Sequence, residues 1–217
     1  MKHPGMDVTK LSLRANALSQ PGCVLFEQAL DGEQQTALVG TLREVLASAP
    51  LFQPTMPRTG KPLSVRMSNC GSLGWVADRS GYRYQPHHPV TGKPWPPIPD
   101  VLTTVWHAVA PDAPVPEACL INWYEPEAKM GLHQDRDEEM FDAPVVSVSL
   151  GDDALFRLGG TTRGGKTEGI RLRSGDVLVL GGASRLAFHG VTRIYPGTST
   201  LLDAPGRINL TLRRVTA

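Results

Sequence analysis

The chain reads as a mainly β protein with flanking helices, an antiparallel sandwich or jelly roll, and three features predict this. From Cys119 onward roughly six to eight short apolar or alternating segments follow one another, separated by glycine and proline turns. Helical leucine spacing is absent from that half and confined to the first. The last segment, Arg207-Ile208-Asn209-Leu210-Thr211-Leu212-Arg213, alternates at period two, with Ile208, Leu210 and Leu212 on one face and polar or cationic residues on the other.

The elements follow in order. Residues 1–20 show no sustained period and are expected to form a loose arm, with one domain over 21–217. Residues 22–26 predict a short strand. Leu38, Leu42 and Leu46 predict an amphipathic helix over Gln34–Ser48. Residues 50–60 read as loop and Leu63–Asn69 as a strand. Trp75, Tyr82 and Tyr84 then stand among Gly71, Gly74 and Gly81, a weakly periodic setting that suits either packing under a loop or stacking on a nucleic-acid base. Six prolines between Pro86 and Pro99 predict a rigid surface excursion, and Asp100–Ala110 a helix with Val101, Val105 and Trp106 inward. Strands are expected at Cys119–Tyr124, Val145–Leu150, Leu155–Leu158 and Val177–Leu180, and a strand end at Ala187-Phe188-His189-Gly190. Between Arg157 and Arg173 five cations face the single acid Glu168, the only local basic cluster in the sequence. It reads as a solvated hairpin or as a phosphate-contacting surface.

Composition narrows the function classes. With 217 residues and a net charge of +1, the chain has no whole-molecule field to draw it to nucleic acid, so any such binding must use a local patch. Three widely spaced cysteines argue against a disulfide framework and a zinc ribbon. No export signal or membrane span is legible, so a cytoplasmic location is expected. A G-x-S-x-G nucleophile turn is absent, which argues against a serine hydrolase.

The chemistry-bearing stretch is Leu132-His133-Gln134-Asp135-Arg136-Asp137. In an extended segment His133 and Asp135 point the same way, and His189 offers a third ligand. Two histidines and one carboxylate leave the remaining positions of an ion open, the facial triad of non-heme Fe(II) oxygenases, so iron is the first metal expected. The polar face of 207–213 carries two arginines, whose planar forks suit a small dicarboxylic acid. A packed histidine at His189 and a solvated strand face are the plain alternatives.

His133-x-Asp135, His189 and Arg207-x-Asn209-x-x-x-Arg213, with Asn69-Cys70-Gly71-x-Leu73-Gly74-Trp75 and Asn122-x-Tyr124, resemble the bacterial AlkB family of Fe(II)/2-oxoglutarate-dependent nucleic-acid dealkylases, from about Leu63 to Arg213. The resemblance implies a double-stranded β-helix core over about 119–213 and a nucleotide-recognition lid over about 63–90. It implies Fe(II) on His133, Asp135 and His189, with 2-oxoglutarate and O2 as cosubstrates. Arg207 and Tyr124 are then expected on the distal carboxylate of 2-oxoglutarate. Asn122, Asn209 and Arg213 would support its other end, and Arg213 would also orient Asp135. Met67, Trp75, Tyr82 and Tyr84 are expected near the base, Asp137 beside a cationic lesion, and Arg163 on the substrate strand. The implied reaction removes N-linked methyl groups from 1-methyladenine and 3-methylcytosine as formaldehyde. The expected partner is alkylated single-stranded DNA, with RNA and double strands left open, acted on by a monomer. Arg83 and Arg136 stand where the family varies, and Trp123 is expected to face away from the cosubstrate. Two rivals keep much of this pattern: a 2-oxoglutarate oxygenase acting on a protein or small molecule, and a jelly-roll protein that holds zinc without oxygenase activity.

Overall fold

A computed structural model describes residues 11–217; the first ten residues of the expected arm lie outside the described part. Helix α1 (Gly32–Ser48) begins at a capping box, in which Asp31 accepts from the Gln34 N–H while the Gln34 side chain accepts from the Asp31 N–H. It buries Leu38, Leu42 and Val45, and α2 (Asp100–Val109) buries Val101, Leu102, Val105 and Trp106.

The strands are β1 (Ala15–Ala17), β2 (Cys23–Phe26), β3 (Arg66–Gly71), β4 (Gly74–Asp78), β5 (Gly81–Gln85), β6 (Ala118–Tyr124), β7 (Met130–His133), β8 (Val145–Gly151), β9 (Asp153–Leu158), β10 (Glu168–Leu172), β11 (Val177–Leu180), β12 (His189–Tyr195) and β13 (Arg207–Arg213). They form a seven-stranded sheet in the order β1-β2-β11-β8-β13-β6-β3 and a four-stranded sheet in the order β10-β9-β12-β7, with β4 and β5 as a separate hairpin. All pairings are antiparallel, the two-sheet jelly roll that the second half of the sequence predicts.

The large sheet is covered on both faces. Ile208, Leu210 and Leu212 of β13 join Cys119, Ile121, Val146 and Val148 against α1 and α2. The opposite face closes on Phe156, Leu158, Ile170 and Val191 of the small sheet. Register then builds one polar row inside the roll: Met67 lies opposite Asn122, Asn122 opposite Asn209, and Asn209 opposite Ser149. Trp123 points the other way, into the helix-side core.

Several expectations are corrected. Ala15–Ala17, assigned to the loose arm, pairs with β2 as an edge strand. The aromatic, glycine-rich segment is a regular hairpin in which Trp75 lies opposite Tyr84. Glycine is required at Gly74, where a Cβ would come within 2.5 Å of the Trp95 ring. The proline-rich run is more than a surface excursion: His88 and Trp95 are buried and pack with Phe52 beneath that hairpin. His189 opens β12 rather than closing a strand, because a 3-10 turn at Gly182–Ser184 takes up the chain before it.

The C-terminal segment is pinned by Glu117, whose carboxylate accepts from the Val215 and Thr216 N–H groups and the Thr216 hydroxyl at 2.7–3.0 Å. Burial alone would raise the Glu117 pKa, but these donors and Arg214 bring it below the ordinary carboxylate value. A depressed folded pKa gives stability that is present above the unfolded value of about 4.3 and is lost as pH falls through the folded one. Glu117→Ala is therefore expected to lower Tm by roughly 3–10 °C at pH 7, from about 1.5–3 kcal/mol of charge-assisted bonding. The gap from wild type should narrow in acid; thermal melts at pH 7 and pH 3 check this, and a gap that widens in acid would contradict it.

Candidate active site

The site begins with a strand pairing. His133 closes β7 directly opposite His189, the first residue of β12. Glycine at 190 permits this approach, since a Cβ there would meet the Met130 carbonyl oxygen at 2.5 Å. The two imidazoles stand 4.6 Å apart between centroids, and the Phe156 ring stacks on His189 at 5.6 Å. Asp135, two residues past His133, turns back so that its oxygens lie 3.6 Å from His133 Nε2 and 3.8 Å from His189 Nε2. One ligand atom from each of the three falls within 4.8 Å of the others.

The donor chemistry suits a divalent metal. Nδ1 of each histidine lies 2.9 Å from a carbonyl oxygen two residues back, Gly131 for His133 and Ala187 for His189. A carbonyl only accepts, so each Nδ1 carries the proton and each Nε2 keeps a free lone pair. Burial, partly opposed by Asp135, lowers the His189 pKa to about 4, so this ring is neutral near pH 7. Burial would push the Asp135 carboxyl up, but Arg213 and the two histidines more than offset that and hold it ionised.

Behind the triad stands a charge network that sequence reasoning only partly anticipates. Arg213 donates to Asp135 at 2.8 Å and lies 3.2 Å from Glu138. Glu138 also receives the Tyr84 hydroxyl at 2.5 Å and Arg185 at 3.2 Å, while Arg185 donates to the Asp135 backbone oxygen at 2.7 Å. Arg213 thus orients Asp135, and Tyr84 ties the hairpin to the same network. Glu138 and Arg185 are missing from the sequence reading. The one available signal was the acid run 137–139, whose members are ordinarily solvated.

Triad and hairpin open onto a cavity of about 470 Å³. Its wall includes Asn122, Tyr124, Arg207, Asn209 and Arg213 from the large sheet and Met67, Trp75, Tyr82 and Tyr84 from the lid side, with Asp137 and Arg163 at the rim. Arg207 is fully buried yet pairs with no carboxylate among the described residues; its partners are the Ser149 hydroxyl at 2.7 Å and the Asp152 carbonyl at 3.5 Å, and Nε has none. Burial lowers its pKa to about 10. Asn122 Oδ1 is also buried without a partner, whereas Asn209 donates to the Ser147 hydroxyl. A buried guanidinium without a counterion is costly, so this wall is chemically suited to an anion such as a dicarboxylate. Ser147, Ser149 and Asp152, which set up this wall, were not singled out from the sequence.

On the lid, Trp75 and Tyr82 stack on each other at 5.6 Å and 17°. Trp75 is fixed by its Nε1–H donating to Asp137 at 2.8 Å, whereas Tyr82 is 53% exposed. Arg163 lies over the Phe188 ring at 5.4 Å. Within the basic cluster Arg157 bonds Thr167, and Arg171 is the member paired with an acid, Asp153 at 2.8 Å.

A sequence profile of the 2OG-Fe(II) oxygenase superfamily matches residues 22–213, which defines the class as non-heme iron oxygenases that use 2-oxoglutarate. An alpha-ketoglutarate-dependent dioxygenase AlkB homolog of Caulobacter vibrioides is 50% identical, with 89% of this chain and 88% of that protein aligned, and AlkB of Escherichia coli is 43% identical over 91% of each. The structure of OsALKBH1 superposes with a TM-score of 0.79 at 34% identity, covering 92% of this chain and 99% of that one. DNA N(6)-methyladenine demethylase ALKBH1C of Arabidopsis thaliana is 32% identical over 90% of this chain and 49% of that protein. The chain belongs to the AlkB family of this superfamily. It is a dioxygenase dependent on Fe(II), 2-oxoglutarate and O2, which sets aside the zinc-protein reading.

Proposed function

We propose that this protein oxidatively removes methyl groups from ring nitrogens of nucleic-acid bases, 1-methyladenine and 3-methylcytosine above all, in single-stranded DNA and with RNA as a further substrate. The observation that carries the reading is the juxtaposition in one cavity of the His133–Asp135–His189 cluster, the counterion-free Arg207 and the paired rings of Trp75 and Tyr82. The names of nucleic-acid demethylases among its relatives support it. Bound Fe(II) would activate O2, the oxidant for both halves of the reaction: one oxygen atom would enter succinate as 2-oxoglutarate loses carbon dioxide, and the other would hydroxylate the N-methyl carbon.

The chain's own residues do the rest. His133, Asp135 and His189 hold the metal through Nε2, carboxylate and Nε2. Arg207 and Tyr124 hold the distal carboxylate of 2-oxoglutarate, while Asn122, Asn209 and Arg213 line the path from it to the metal. Trp75, held by Asp137, gives a fixed face for an extruded base, and Tyr82 is the ring free to move aside and close over it. Met67 and Tyr84 bound the pocket from the lid side. A cationic base gains about 0.5–2 kcal/mol from such rings, and the Asp137 carboxylate adds to it. The hydroxylated methyl group then leaves as formaldehyde: the hydroxyl loses its proton to water, the O–H pair becomes the C=O bond, and the C–N bond breaks with its electron pair returning to the base. The protein acts as a cytoplasmic monomer, a single domain that takes in the Ala15–Ala17 edge strand.

The test is the mass of an oligonucleotide bearing one 1-methyladenine after incubation with Fe(II), 2-oxoglutarate and O2. Loss of the methyl group is expected. An unchanged lesion with 2-oxoglutarate consumed would move the substrate to a protein or small molecule. In the same assay Asp137→Ala should reduce turnover of cationic lesions more than of an uncharged alkylated base; equal losses would remove the charge role.

A further inference from the structure

A cationic surface lies beside the lid, assembled from the loop 54–62 and the turn of the β4–β5 hairpin. Residues 54–62 form a tight loop: Thr55 bridges Pro62, Met56 N–H donates to the Lys61 carbonyl at 2.8 Å and Gly60 N–H to the Met56 carbonyl at 2.7 Å. The loop is fastened to the hairpin by Thr55 N–H on the Ala77 carbonyl at 3.1 Å. Its far end rests on Arg79, for a Cβ built at Gly60 would come within 2.6 Å of the Arg79 guanidinium. Arg58, Lys61 and Arg79 are all exposed, and none of them has an ion pair among the described residues. The adjacent acid, Asp78, is occupied by both guanidinium arms of Arg83 at 2.8 and 3.0 Å, so it does not neutralise Arg79. In a chain of net charge +1, three unpaired cations on one rigid rim form a local positive field.

Resting on the base-demethylation reading, we propose that Arg58, Lys61 and Arg79 form a phosphodiester-binding platform that holds nucleic acid outside the nucleotide taken into the cavity. Tyr82 lies opposite Ala77 and Gly81 opposite Asp78, and Arg79 follows in the turn that joins the two strands. That placement puts the platform at the turn end of the hairpin, to the side of the ring that grips the nucleotide. The phosphates come either from the flank of the same strand or from the opposite strand of a duplex.

The experiment compares wild type with an Arg58→Ala/Lys61→Ala/Arg79→Ala variant by anisotropy, using a single strand and a duplex of about 15 nucleotides across a salt series. The variant should bind roughly 10–100-fold more weakly at low salt, with the slope of log K against log salt reduced by about 2 on the single strand or about 2.7 on the duplex. A loss on the single strand assigns the same-strand flank, and a loss confined to the duplex assigns the opposite strand. The arginine-to-lysine variant at positions 58 and 79 should retain binding, because phosphate neutralisation needs charge rather than a bidentate fork. Turnover of a free 1-methyladenine nucleoside, which carries no phosphodiester, should be unchanged. Unaltered affinity and slope on both long substrates would overturn the platform while nucleoside turnover leaves the demethylation reading standing. Platform-dependent binding without turnover of any lesion would do the reverse.

Discussion

His133→Ala is expected to fold as the wild type does and to lose both its metal and its turnover. The His133 side chain is 40% exposed, its Nδ1 faces the carbonyl two residues back and its Nε2 lies 3.6 Å from Asp135, which keeps Arg213 at 2.8 Å, so removing the ring leaves no buried charge unpaired. The metal-free melting temperature should therefore stay within roughly 2 °C of wild type, as for a surface change of about 0.5 kcal/mol. Changing a residue that merely orients a ligand costs about 10–100-fold in metal affinity, so deleting a ligand should cost more than about 100-fold. Wild-type protein saturated with Fe(II) in the absence of oxygen gains about 2.7 kcal/mol at 100 times Kd, or roughly 5–10 °C in Tm. The variant should gain almost nothing. An equal metal-induced rise in both proteins would place the ion elsewhere.

Arg213→Met should have the largest effect on the fold itself. Arg213 lies buried between Asp135 and Glu138, and although burial opposes its charge, those carboxylates and Tyr84 hold it firmly protonated. Methionine fills much of the volume but takes the only arginine side-chain partner from buried Asp135 and leaves Glu138 with Arg185 and Tyr84, a cost of about 3–5 kcal/mol for the broken buried pair. For a chain of this size that is roughly 6–20 °C in Tm. Turnover should fall even well below the new melting temperature, because Asp135 loses the group that aims it. A double variant, Arg213→Met with Glu138→Gln, should recover part of the stability without recovering turnover. Full recovery of both would show that Arg213 acts only through charge balance, and no loss of stability would contradict the network.

What could be read in advance follows from the range of each signal. β13 is legible because period-two alternation is local, with Ile208, Leu210 and Leu212 against Asn209, Thr211 and Arg213 needing no partner to be seen. His133 and Asp135 stand two positions apart in sequence, while His189, offered as a third ligand from its short apolar run and supported by the resemblance, is brought opposite His133 only by the β7–β12 pairing. Glu138 and Arg185 escape notice because sequence patterning treats charge as solvated, and their burial depends on partners 47 residues apart. The cations of 157–173 look like one surface in sequence, yet register sends Arg171 to Asp153. Conversely Arg58, Lys61 and Arg79 become neighbours only through the Thr55–Ala77 fastening. The edge pairing of Ala15–Ala17 is a three-residue contact too short to carry a period.

The measurement that bears most directly on the account is the release of formaldehyde and succinate from one reaction on a 1-methyladenine oligonucleotide with Fe(II), 2-oxoglutarate and O2, run beside His133→Ala. One site that couples cosubstrate oxidation to base repair predicts matched release of both products, abolished together in the variant. Formaldehyde release that survives in His133→Ala would contradict the assignment of the His133–Asp135–His189 cluster as the centre of the chemistry.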